Sequence, residues 1–227
     1  MPLPGCPSGL PALDDALGSG FVMGAVHELV AASEGAPAVS LALRIATQAA
    51  GRGKWIFFID TRHDLYPPAI AQLGLPLGRL MVVRASRPTD ALWVCEQALR
   101  CQAVAAVVVP LRTIDAYASR RLQLAAEAGQ SLGLLICQDQ PSGHTFAASR
   151  LRIEPRVFAP DGAHANSREP QPTEGGASRL LQITVLKLRE GRPGEPFVVE
   201  WPDAADFVHA SAVPVDRTGT ARRCASG

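Results

Sequence analysis

The chain predicts an α/β fold built on a mostly parallel, twisted sheet. The first observation is a set of continuous apolar runs of strand length, "WIFFID", "AVAAVVVP" and "LGLLICQ". Runs of this kind are the mark of strands buried on both faces. The second is their alternation, at short spacing, with longer helical runs such as "PTDALWVCEQALR" and "IDAYASRRLQLAAEAGQ". Strand, helix, strand, helix in one chain implies right-handed crossovers that return successive strands in parallel. The third is size: 227 residues, 47% of them hydrophobic, suffice for one substantial core.

Each element follows in order. "SGLPALDDALGSG" predicts a short amphipathic helix, with Leu10, Leu13 and Leu17 at helical spacing and Gly18 and Gly20 placed to end it. "GAVHELV" reads as the first core strand. A small-residue turn then leads into the helical run ending "SLALRIA", and "WIFFID" follows as a strand. "TRHDLYPPAIAQLGLPLG" holds a short helix between turn residues, and "RLMVVRA" is the next strand. After the two long alternations come "TFAASRLRIEP" and "RLLQITVLKLREGRPGEPFVVEW". The latter reads as a hairpin turning at "EGRPGE", and these segments are expected to extend the sheet with antiparallel edge strands near the C-terminus. The core is expected to span 1–202. Residues 155–178, rich in Pro, Gly and Ala without periodicity, read as a mobile linker loop within it, and 203–227 as a disordered tail.

Composition excludes several classes. A formal net charge of +1, spread along the chain, offers no basic tract for bulk attraction to nucleic acid or an anionic membrane. The longest apolar stretch, "AVAAVVVPL", falls far short of the ~20 residues that a membrane helix needs, and no leader pattern opens the chain, so a cytoplasmic protein is expected. Cys6, Cys95, Cys101, Cys137 and Cys224 are odd in number, lack C-x-x-C spacing and read as reduced core residues. The histidines His27, His63, His144, His164 and His209 have no metal-ligand spacing, and no metal is expected. Trp55, Trp93 and Trp201 read as packing residues, and Arg120 with Arg121, like Arg150 with Arg152, as solvated faces.

In a parallel sheet the chemistry gathers at the carboxyl ends of the strands. Here those ends fall at 30–34, 60–64, 110–113 and 138–140. Three of the segments, in order, resemble the ATPase core of the RecA recombinase family. "SGLPALDDALGSGFVMGAVHEL" is similar to the entry into its phosphate loop, "WIFFIDTRHDLYPPAIAQLGL" to its second strand and following helix, and "LGLLICQ" to the strand that ends in its nucleotide-sensing glutamine. The resemblance runs from Ser8 to Trp201 and implies a RecA-like three-layer α/β/α fold. The short, lysine-poor form resembles the ImuA family, accessory proteins of damage-inducible translesion mutagenesis related to SulA-like sequences.

ATP chemistry would need G-x-x-x-x-G-K-[ST], in which glycines wrap the phosphates, a lysine bridges them and a hydroxyl holds magnesium. The corresponding "AASEGAPAVS" is degenerate. It includes Ser33, Glu34 and one glycine, Gly35; no lysine occurs before Lys54; and Pro37 has no N–H to offer a phosphate. Ser40 is the hydroxyl nearest the magnesium position. A carboxylate at Glu34 would itself be favoured at a helix N-terminus, by ~0.3 to 1 kcal/mol when exposed, and would repel phosphate. By the resemblance, the glutamate that orients water is replaced by Arg62, which stays protonated, and the magnesium aspartate by Pro110. Asp60 and Asp64 read as exposed, solvated or turn-forming acids. No cofactor and no catalytic residue are therefore expected, and the chain reads as a non-enzyme.

Two family positions survive. Gln138 matches the sensing glutamine, and Lys187 with Arg189 match the paired basic residues that reach a neighbouring subunit's nucleotide. The plain alternative is a polar strand end and an exposed i, i+2 face. The DNA loops of the family shrink to "PLRTIDAYAS" and "DQPSGH", too short for a stacking and phosphate-tracking groove. The family's polymerising N-terminal segment has no counterpart before Ser8. Arg222 and Arg223 in the tail are candidate contacts to DNA or an acidic protein patch. The resemblance implies a scaffold whose partners are an ImuB-type inactive polymerase, an error-prone DNA polymerase III alpha-type subunit and RecA, with DNA contact weak or indirect. A weak DNA-stimulated ATPase and a SulA-like cell-division inhibitor are the alternatives.

Overall fold

Strand β3 (Ala25–Ala31) lies near the middle of an eight-stranded sheet, paired in parallel on both sides, with β7 (Leu132–Cys137) and β8 (Ser149–Arg156). The computed structural model describes residues 5–18, 20–32, 37–51, 53–72, 74–138, 144–156, 179–189 and 191–201. Beyond β7 the parallel ladder continues through β6 (Val104–Leu111), β4 (Trp55–Asp60) and β5 (Leu80–Arg84). On the other side β9 (Arg179–Leu188) and β10 (Phe197–Trp201) close the sheet in antiparallel pairing, giving the order β10-β9-β8-β3-β7-β6-β4-β5. The expected antiparallel edge is thus β9 and β10. The segment "TFAASRLRIEP" contributes β8, which is parallel to β3 and antiparallel to β9, so the sheet changes direction one strand later than the sequence suggests.

Two apolar layers cover the sheet, and the strands alternate between them because successive side chains point to opposite faces. Ala106, Val108, Leu134 and Ile136 pack with Leu41 and Ile45 of α2 (Ala38–Ala50), Leu13 of α1 (Pro11–Ala16) and Ile70 of α3 (Pro67–Gln72). Val107, Val109, Leu135 and Cys137 pack with Ala91, Cys95 and Leu99 of α4 (Pro88–Arg100) and Leu122, Ala125 and Ala126 of α5 (Ala116–Gly129). Burying a leucine or isoleucine of this kind contributes about 1.5–3 kcal/mol. The result is the expected three-layer α/β/α arrangement.

Local features explain the joints. Helix α5 starts at an Asp115 N-cap whose carboxylate accepts from the Ala118 N–H at 2.7 Å. It ends at Gly129, where a Cβ would stand 2.0 Å from the Leu99 carbonyl oxygen, so only glycine lets α5 approach the end of α4. That carbonyl then accepts the Ser131 hydroxyl at 2.6 Å. Pro155 and Arg156, which the sequence assigns to the start of the linker, belong to β8. Pro155 is tolerated because its pairing with β3 has already ended: the last β3 contact is the Ala32 N–H to the Ile153 carbonyl, and residues 153 and 155 face the same neighbour. The rest of the linker, 157–178, and the tail, 203–227, lie outside the described residues.

Two expectations about packing need correction. Cys6, Cys95 and Cys137 are buried free thiols, and burial pushes Cys6 up to about 11 and Cys137 up to about 12, but Cys101 is exposed where α4 ends. Trp93 is not a packing residue: it stands 61% exposed on the outer side of α4. Trp55 packs against the α4–α5 layer and carries the Arg79 guanidinium 5.6 Å from its ring centroid.

His27 pins the small two-stranded sheet of β1 (Gly5–Cys6) and β2 (Phe21–Val22) to the main sheet. Its Nε2–H donates to the Val22 carbonyl at 3.1 Å, which fixes the tautomer, so Nδ1 accepts from the Ser149 hydroxyl at 2.8 Å. Phe21 packs edge-on against the ring, 4.9 Å between centroids. Burial pushes its pKa down to about 4, the bond to Val22 working against that and the Arg189 charge with it. The unfolded histidine titrates near 6.5, so between pH 6.5 and 4 the unfolded chain holds the extra proton and stability rises with pH. Lowering the pH from 7 to 5 is expected to remove about 2 kcal/mol through this one group. Urea unfolding at a series of pH values tests it: His27→Gln should flatten the slope over that window, and an unchanged slope refutes the assignment.

Candidate functional site

At the carboxyl end of the sheet the chain passes from β3 to α2 through the stretch that matches a phosphate loop. Ser33, Glu34 and Gly35 lie outside the described residues. Pro37 is the N-cap residue of α2, and its carbonyl accepts the Leu41 N–H at 2.9 Å; it supplies no N–H. No side chain caps this helix among the described residues, and its first turn carries no acid. Ser40 sits in that first turn, 3% exposed.

The neighbouring strand ends are closed by contacts within the chain. Arg62 points outward and pairs with Asp64, Nε to Oδ2 3.2 Å. Asp60 is 2% exposed rather than solvated, because Oδ1 accepts the His63 N–H at 2.7 Å and holds a turn in which His63 takes φ +60°. The Pro110 carbonyl accepts the Thr61 hydroxyl at 2.9 Å. That carbonyl faces β4, whose pairing with β6 stops at Val108, so the N–H that proline lacks falls where no ladder partner remains. Gln138 is exposed, and its N–H is shared between the carbonyls of Leu111 and Arg112 at 3.3 and 3.2 Å. No cluster of potential metal ligands exists among the described residues.

The amino end of the sheet holds a denser polar group, which the sequence does not announce. Glu28 is fully buried in β3, on the face that carries Val26. Directly across the ladder stands Arg150 of β8, and across from that Lys187 of β9. Arg150 is not a solvated-face residue: its side chain is 10% exposed and its Nε donates to Glu28 Oε2 at 2.6 Å. Thr145 donates to the other carboxylate oxygen at 2.5 Å. Lys187, half-buried rather than exposed, donates to the Thr145 and Ala147 carbonyls at 2.7 and 2.8 Å. Burial lowers its pKa, the Glu28 charge opposing and the Arg189 and Arg150 charges adding to the shift.

Arg189 lies beside it, exposed, and donates to the Phe146 carbonyl at 2.8 Å, with Glu127 at 3.9 Å. The structure therefore brings Lys187 and Arg189 together, at the end of the sheet opposite to Pro37, Arg62, Pro110 and Gln138. Arg222 and Arg223 lie outside the described residues. The residues missed by sequence reasoning are Glu28, Arg150 and Thr145. The signal for them was an acid inside the buried strand "GAVHELV", which cannot stay charged there without a cation.

The RecA N-terminal domain model matches residues 2–130. The ImuA protein of Caulobacter vibrioides is 30% identical over 200 residues, covering 85% of this chain and 82% of that protein. A cell division inhibitor SulA of Edwardsiella piscicida is 31% identical over 133 residues, 58% of this chain and 72% of that protein. Among solved structures, the RadB recombinase aligns with a TM-score of 0.61 at 17% identity, covering 85% of this chain and 94% of that one, a likeness of fold.

Removing Glu28 would leave Arg150 buried without its carboxylate. Glu28→Ala is expected to cost about 3–5 kcal/mol, whereas the double change Glu28→Leu with Arg150→Met should recover most of the loss. A double-mutant cycle by urea unfolding measures both; additive losses would show that the pair is not the coupled unit described.

Proposed function

Because the chain belongs to the RecA-like family, in its ImuA branch, we propose that it is a non-catalytic scaffold of damage-induced translesion synthesis. It would join an ImuB-type inactive polymerase to an error-prone DNA polymerase III alpha-type subunit, with RecA as a further contact. Family membership supports the role in damage-induced mutagenesis. The non-catalytic reading is supported by one observation, the contacts that the described residues make at the carboxyl end of the sheet: proline at the α2 N-cap, Arg62 paired with Asp64, and Pro110 bonded to Thr61. A phosphate there would meet no lysine, a magnesium ion no acid at the end of β6, and an attacking water no base at residue 62.

An adaptor needs surfaces, and β5 offers one. It ends the sheet, and Met81 and Val82, which point to opposite faces, are 42% and 41% exposed. This edge presents two apolar side chains, with the exposed Arg84 its one charge within the strand, and an edge of that kind can accept an added partner strand.

The test uses the full chain in two parts. Calorimetry with magnesium-ATP is expected to give no binding in the low-micromolar range, and phosphate release is expected to be absent with or without single-stranded DNA. Co-purification with the inactive polymerase is expected, weakened by Val82→Lys at the sheet edge. Measurable turnover would return the weak ATPase reading. Recovery of the tubulin-like division protein without polymerase components would favour the inhibitor reading that the SulA relative raises.

A further inference from the structure

Helix α5 carries a second stripe, opposite to the one it buries. Ser119, Leu122, Ala125 and Ala126 face the sheet, while Tyr117, Arg120, Arg121 and Leu124 recur at helical spacing on the outside. Tyr117 is 73% exposed and Leu124 54%. Beside this stripe runs the segment 144–148, which crosses from β7 to β8 and packs on α5 through Ser119: the Ser119 hydroxyl lies 3.1 Å from Thr145 Oγ1 and accepts the Phe146 N–H at 3.0 Å. Between α5, this segment and the end of β9 lies an open cleft of about 520 Å³, whose lining includes the apolar Leu124 and Phe146 and the charged Arg120, Lys187, Arg189 and Glu127.

Arg120 is held but not satisfied. Its guanidinium carbon lies over the Phe146 ring, 5.5 Å from the centroid, and it makes no hydrogen bond or ion pair with any described residue. A guanidinium over a ring leaves its in-plane donors open to a planar acceptor, which suits a carboxylate received in bidentate fashion. Three cations stand against one carboxylate around the cleft, so its complement is acidic.

We propose that this cleft docks an acidic segment of a partner protein that carries a large apolar side chain. The apolar side chain lies between Leu124 and Phe146, and a neighbouring carboxylate is bound by Arg120 and Arg189. Nucleic acid fits less well. The Phe146 and Tyr117 rings each already carry an arginine, and a cleft of this size offers no row of stacking faces. The inference deepens the scaffold reading by giving the chemistry of a partner, and rests on that reading for its setting.

The experiment measures fluorescence anisotropy of a labelled dodecapeptide, in which leucine and phenylalanine alternate with aspartate and glutamate, against the full chain. Binding is expected to weaken with salt and to fall about tenfold or more in Arg120→Glu, with Arg120→Lys intermediate. A peptide with Asn and Gln for its acids, and one with Ala for its apolar residues, should each bind about tenfold less tightly. Arg120 is exposed, so thermal unfolding of the variants should match the parent and exclude misfolding. No binding, binding indifferent to Arg120→Glu, or equal affinity for the uncharged peptide overturns the proposal. Oligothymidylate that displaces the peptide with the same Arg120 dependence assigns the cleft to nucleic acid and overturns it too. These outcomes are separable from the scaffold test: ATP turnover would defeat that reading without touching Arg120-dependent peptide binding, and failure of the peptide would leave co-purification through β5 intact.

Discussion

A carboxylate with no access to water has to be neutralised where it stands, and Glu28 imposes that requirement on the middle of the sheet. Its position in β3 faces the α5 side, where an apolar residue would have joined Val26 in the core. The answer is lateral. Arg150 occupies the adjacent ladder position on β8, and Lys187 the next one on β9, so the charge is spread across three strands in register. Such a row gives no large net stability over an apolar one of equal volume. It does fix register, because sliding β8 by one residue would put the arginine on the opposite face and leave the acid alone.

The two ends of the sheet treat proline and charge differently, and the difference follows from backbone geometry. Pro155 lies past the last β3–β8 pair and Pro110 past the last β4–β6 pair, so each sits where its strand no longer pairs on the N–H side. Pro110 keeps its own carbonyl engaged, accepting the Thr61 hydroxyl at 2.9 Å. Arg62 and Asp60 show the same economy, one satisfied by Asp64 and the other by the His63 amide. Each of these groups has its partner within its own chain.

Elements with one strong local signal were legible in the sequence. The apolar runs gave β4, β6 and β7, helical spacing gave α4 and α5, and the turn "EGRPGE" gave the β9–β10 pair. The features that escaped depend on pairs distant along the chain. Glu28 and Arg150 are 122 positions apart, and nothing in "SRLRIEP" distinguishes a buried arginine from a solvated one until the partner strand is known. Trp93 misled for the opposite reason: it stands inside a regular helical run, and only packing reveals that this turn of α4 faces outward. The direction of β8 was hidden because strand runs carry no sign of parallel or antiparallel pairing.

Buried charge and surface cleft form one mechanical unit. Glu28 holds the Thr145 hydroxyl, Thr145 meets Ser119, and Ser119 receives the Phe146 amide, so the ring beneath Arg120 is positioned by a chain of hydrogen bonds that begins in the core. Lys187 adds a second anchor by gripping the carbonyls on either side of that ring. A loop fixed in this way loses little conformational freedom when a partner arrives, and the ordering cost of association falls accordingly. Lys187, which resembles a nucleotide contact, makes its hydrogen bonds within its own chain and so shapes the surface that its neighbours Arg120 and Arg189 present.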